Sequence, residues 1–158
     1  MRHAHATGGS PGGGDHDRPL TDRGRTAARR VALEMATRGW VPDEIVCSTA
    51  ARCQQTAAIL AETWADSTPV RSQRSLYNAM TETILMTVRD RLDAASSSNS
   101  RMILSHNPGI SHVASHLGGT RLGLSPASVV MIHAAIDRPA DLSAATVRDV
   151  QMIDPADL

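Results

Sequence analysis

Short apolar runs alternate with helical stripes along this chain, and that alternation restricts the fold more than composition does. Residues 44–47 read as a short buried strand. Residues 50–64 read as a helix, with Cys53, Ala57, Leu60 and Trp64 spaced four, three and four apart on one face. A weaker strand at 69–73 precedes a helix carrying Ile84, Leu85, Val88 and Leu92 inward. Residues 102–105 read as a strand and 109–117 as a short helix, with Gly118 and Gly119 ending it. Residues 129–136 and 146–153 read as the last two strands. Before all of these, residues 7–17 are glycine-rich loop. Thr21 then caps a helix with Ala27, Ala28, Val31 and Met35 inward, which Gly39 stops. The run from Ser96 to Ser100 reads as a surface loop. Strands alternating with helices predict a three-layer α/β/α sandwich around a mostly parallel sheet.

At 158 residues, with no internal repeat or linker, the chain fits one domain over 1–158. Hydrophobic residues make up 41% of it, enough to fill a core, and without phenylalanine that core falls to Val, Ile, Leu, Met and Ala. Basic and acidic residues balance at 16 each. This removes the electrostatic case for nucleic acid or an anionic membrane as partner, so any anion site must be local. No stretch is apolar enough to span a bilayer. The opening Met1, Arg2, His3 carries no secretory signal, and Cys47 and Cys53 read as a reduced pair, which predicts a cytoplasmic protein.

Four residues stand out chemically: Arg2, His3, Arg52 and His106. Arg52 falls in the first turn of a helix after a strand, and His106 directly after another strand. Strand exits of this kind converge on one edge of an α/β sheet. Guanidinium forks match phosphate oxygens, a neutral imidazole can attack phosphorus, and a helix N-terminus adds positive potential. Each residue taken singly has an ordinary explanation as a surface or packing residue.

Their local strings carry more. M-R-H-A-H-A at the start, S-T-A-A-R-C-Q-Q-T-A at 48–57 and L-S-H-N-P at 104–108 resemble, in order, the signature segments of the histidine phosphatase superfamily. D-R-P-L-T-D-R-G at 17–24 and L-Y-N-A at 76–79 are similar to its small SixA-like phosphohistidine phosphatase branch. The resemblance implies a phosphoglycerate mutase-like fold and a hydrolase acting through a phosphohistidine intermediate on His3. Arg2 and Arg52 would hold the phosphoryl oxygens, and His106 would complete the pocket. Arg18 is a substrate-binding candidate, with a plain surface arginine as the equal alternative. No cofactor or metal is implied, since arginines supply the positive charge. The expected partner is a phosphorylated small molecule or a phosphohistidine protein.

Two departures from the family pattern matter. The place of the mutase-like general acid, two after Leu76, holds Asn78, which cannot donate the proton. Glu82 is the nearby acidic candidate, although a glutamate there also suits a helix N-terminus as a surface residue. An easy leaving group is therefore expected. The family also runs a buried strand into its R-H pair, whereas only Met1 precedes the pair here. The first strand is thus expected to be missing or truncated.

Two rivals remain. A metal-dependent hydrolase could draw on His3, His5, Asp15, His16 and Asp17, or on His112 and His116 four apart. The second pair falls opposite the apolar face of its helix and reads as solvated. A non-catalytic phosphate-binding domain of the same fold is the other rival.

Overall fold

The computed structural model of the protein describes residues 1–9, 13–92 and 100–158. All but the last residue of the loop read at 96–100 lies outside them. Helix α1 (Asp22–Thr37) starts where Thr21 Oγ1 accepts from Gly24 N at 3.2 Å, and Gly39 leaves it at φ +70°. Strand β1 (Glu44–Ser48), helix α2 (Ala51–Thr63), strand β2 (Val70–Gln73) and helix α3 (Thr81–Arg91) follow. Strand β3 (Arg101–Leu104), helix α4 (Gly109–Gly118) and strands β4 (Val129–Ala134) and β5 (Val147–Ile153) complete the chain. Among the described residues, no helix is long and apolar enough to cross a membrane.

The order β2-β1-β3 makes a parallel sheet, with Ile45 paired to Val70 and to Met102. Alternate strand residues face opposite layers, and this period of two builds two cores. Ile45, Cys47, Met102 and Leu104 pack with Val31 and Met35 of α1, with Cys53 and Leu60 of α2 and with Trp64, which caps the end of α2. Val46 and Ile103 pack with Ile84 and Leu85 of α3 and with Ile110, Val113 and Leu117 of α4. Trp64 buries its ring while its Nε1 donates to the Ala32 carbonyl at 3.0 Å, tying α2 to α1. The α/β/α sandwich expected from sequence is therefore present, with one addition. Among the described residues, the last two strands pair only with each other, as an antiparallel hairpin from Val129↔Ile153 to Ala134↔Val147.

Among the described residues, the Arg2-His3 pair joins the sheet through an isolated parallel bridge, Arg2 to Ser105. His3 N donates to the Ser105 carbonyl and Ser105 N to the Met1 carbonyl, on the β3 side. Arg2 N donates to the Ser128 carbonyl and Ala127 N to the His3 carbonyl, on the β4 side. Residues 1–3 thus fasten the sheet to the start of the hairpin. Beyond them lies an apolar cavity of about 500 Å³ between β3, β4, α3 and α4, lined by Ile84, Val88, Ile103, Ile110, Val130 and Ile132 among others.

Candidate active site

The exits of the parallel strands supply the site. Ser48 ends β1, Arg52 lies in the first turn of α2, and His106 follows β3. The N-terminal segment is held across them by several bonds. Ala4 N donates to Thr56 Oγ1 at 3.1 Å, and that hydroxyl donates in turn to the Arg52 carbonyl at 2.7 Å. Thr21 N donates to the His5 carbonyl at 3.0 Å. Gly24 allows α1 to press on the His5 backbone so closely that any side chain at Gly24 would collide with the His5 carbonyl.

His3 and His106 stand with ring centroids 5.1 Å apart, and Arg52 Nη2 donates to His106 Nδ1 at 3.2 Å. The hydrogen bonds assign both tautomers. His3 Nδ1 lies 2.8 Å from the Ala4 carbonyl, which only accepts, so Nδ1 carries the proton and Nε2 keeps a lone pair. His106 Nδ1 accepts from a guanidinium, which only donates, so its Nε2 carries the proton toward Ser48 Oγ at 2.8 Å. Burial lowers His3 to a pKa of about 4, helped by the charges of Arg52, Arg2 and Arg18 and opposed by the Ala4 bond. Burial, then Arg52 and His3, lower His106 to about 3. Both rings are neutral at neutral pH.

Arg2 reaches the Leu124 carbonyl with Nη1 at 2.9 Å, while its buried Nε has no partner among the described residues. Arg18 donates through Nε to the Thr7 carbonyl at 2.6 Å and through Nη1 to Asp15 Oδ1 at 2.8 Å. It therefore joins the others through Asp15. Glu82 is exposed in the first turn of α3 and bonds to none of them. Asn78 sits at φ +48° in the segment leading to α3.

Three participants were not singled out from the sequence as members of this site: Ser48, Asp15 and Tyr77. Asp15, on the 3-10 turn Asp15–Asp17, accepts from Arg18, from Arg52 Nη2 at 3.0 Å and from Tyr77 Oη at 2.7 Å. Tyr77, Arg18 and Arg52 hold its carboxyl well below the usual range. The Tyr77 ring packs edge-on to His106 and His16, at 5.5 and 5.0 Å. Its segment is seated by Ser105 Oγ donating to the Leu76 carbonyl at 2.9 Å, and by Gly109, where a side chain would strike the Ala79 carbonyl. The signal for Asp15 was its place three residues before Arg18, and for Tyr77 its place in L-Y-N-A.

Among the described residues, no three or more His, Cys, Asp or Glu side chains are grouped to hold a metal ion. His112 and His116 are exposed on α4, away from its buried Ile110, Val113 and Leu117. Cys47 and Cys53 are buried and unbridged, and burial pushes the Cys53 thiol up to about 12.

The site thus pairs two neutral imidazoles with the buried guanidinium of Arg52 and the half-buried one of Arg2, a set of groups suited to an anion, and comparison with known proteins gives the family. The model of the histidine phosphatase superfamily (branch 1) matches residues 1–79, and the chain belongs to that superfamily. It is similar to the putative phosphohistidine phosphatase SixA from Agrobacterium tumefaciens, 30% identical, with a TM-score of 0.76 over 85% of this chain and 88% of that one. The protein histidine phosphatase SixA complexed with tungstate shares the fold at 16% identity, with a TM-score of 0.79 over 99% of this chain and 96% of that one. An uncharacterised protein of Mycobacterium leprae is 33% identical over 106 residues, 67% of this chain. The match spans 62% of that relative's length, and a second curated relative is matched over 26% of its own.

Proposed function

We propose that this protein is a phosphatase that carries the phosphoryl group on His3 and takes phosphohistidine, or another phosphoryl donor with an easy leaving group, as substrate. The observation that carries the reading is His3 itself. It is neutral, its Nδ1 proton is tied to the Ala4 carbonyl, and its Nε2 lone pair is free beside His106 and Arg52. The Nε2 lone pair attacks phosphorus, the bond from phosphorus to the leaving atom breaks, and the leaving atom keeps the electron pair. Arg2 and Arg52 neutralise the oxygens of the transferring group, and the His106 ring lies against it. Water then attacks the phosphoramidate, and orthophosphate leaves with His3 restored.

The choice of substrate rests on the missing acid. Asn78 cannot donate a proton, Asp15 is held ionised, and Glu82 makes no bond to the site. The likeness to SixA proteins supports the same class. A labelled phosphoryl donor should leave label on His3, stable to base and labile to acid, and His3→Ala should release no phosphate. Turnover in His3→Ala equal to that of the wild type would end the covalent reading.

A further inference from the structure

Beside the His3–His106 pair, the Arg52 guanidinium is occupied by the protein's own acid. Arg52 is 3% exposed and uses both terminal nitrogens internally. Nη1 donates to the Asp15 carbonyl at 2.6 Å, and Nη2 to Asp15 Oδ2 at 3.0 Å and to His106 Nδ1 at 3.2 Å. The same carboxylate takes Arg18 Nη1 and Tyr77 Oη. Two guanidinium donors and a phenol on one carboxylate are what these groups would offer phosphoryl oxygens. The two ends of the ion pair are unequal: the Arg52 side chain is 4% exposed and that of Asp15 47%. In any exchange the acid can return to water while the guanidinium stays.

We propose, building on the phosphatase reading, that Asp15 sets how much negative charge an anion must carry to enter the pocket. The Asp15 carboxylate stands in the phosphoryl position on Arg52 and yields only to a more highly charged group. A carboxylate or phosphodiester brings one charge, so exchanging it for Asp15 returns to Arg52 what Arg52 already has. The bonds from Arg18 and Tyr77 to Asp15 are lost in that exchange. A terminal phosphoryl group carries nearly two charges and three acceptor oxygens. It can satisfy Arg52 and also reach Arg2, whose buried Nε has no partner among the described residues. The admitted class is therefore phosphomonoesters and phosphoramidates, and the excluded class is diesters and carboxylates. The cost of displacing Asp15 lowers the apparent affinity of every anion by one common factor, so only an anion that gains more than that from Arg52 and Arg2 is admitted.

Calorimetric titration of the full chain near pH 8 with inorganic phosphate, dimethyl phosphate and acetate tests this. Asp15→Asn should bind phosphate at least about tenfold more tightly than the wild type, and should bring acetate and dimethyl phosphate from undetectable into measurable range. Tyr77→Phe, which removes one donor from the clasp, should move all three the same way by a smaller factor, and Asp15→Glu should restore most of the exclusion. Phosphate bound equally or more weakly by Asp15→Asn would overturn the proposal, since an acid that only orients Arg52 would weaken phosphate when removed. Phosphate bound by neither protein would overturn the phosphatase reading as well.

Discussion

His3 and His106 are kept neutral by burial and by the guanidinium groups beside them, and this has a pH consequence whose sign is determined. Their folded pKa values, about 4 and about 3, lie below the ordinary histidine value. Above about pH 6.5 both folded and unfolded chains hold neutral rings, so neither histidine affects stability there. As pH falls from about 6.5 toward 4, the unfolded chain takes up protons that the folded chain refuses. Stability should then drop, by up to roughly 1.4 kcal/mol per pH unit for each ring. Urea unfolding at several pH values, repeated on His106→Gln, should show that loss and its partial removal. Proton NMR should show the His3 ring neutral at pH 5.5; a midpoint near 6.5 would mean that the pocket does not desolvate it. At this scale the sequence showed the histidines and arginines but not their tautomers. Those depend on the Ala4 carbonyl and on Ser48, and Ser48 joins His106 only across 58 residues of chain.

The helices carry the site residues, and their own stability can be tested separately. Leu60 lies fully buried between the sheet and α1, and Leu60→Ala should cost about 2–5 kcal/mol in urea unfolding. Thr21→Ala removes the cap of α1 and should cost about 1 kcal/mol. That helix meets the His5 backbone at Gly24, so the capping loss should also loosen the segment bearing His3. Element positions were well marked in the sequence, because the predicted face Cys53, Ala57, Leu60 and Trp64 is the buried face of α2. The stripe was too narrow, however. Arg52 and Thr56 are buried beside it, which apolar spacing cannot indicate because both are polar residues satisfied by tertiary partners. The last two strands were marked, but not their antiparallel pairing.

Across the whole molecule, the chemistry should follow from what the pocket lacks. With Asn78 in the place of an acid, rates should fall steeply from phosphohistidine and aryl phosphates to alkyl phosphates as leaving-group pKa rises. Glu82→Gln should change that slope little. A flat slope combined with a large loss in Glu82→Gln would identify Glu82 as the acid. Chelation should leave turnover unchanged, because the positive charge at the pocket comes from arginine. The sequence by itself determined the order of the elements and the identity of the residues at the strand exits, because periodicity and motif spacing are local properties of a chain. Only the tertiary structure decided that Asp15 and Tyr77 meet Arg52, that residues 1–3 bridge β3 to the hairpin, and that an apolar cavity of about 500 Å³ lies beyond them. Those features depend on groups as far apart in sequence as Arg2 and Ser128, brought together by the burial of two cores, and no local pattern records such a distance.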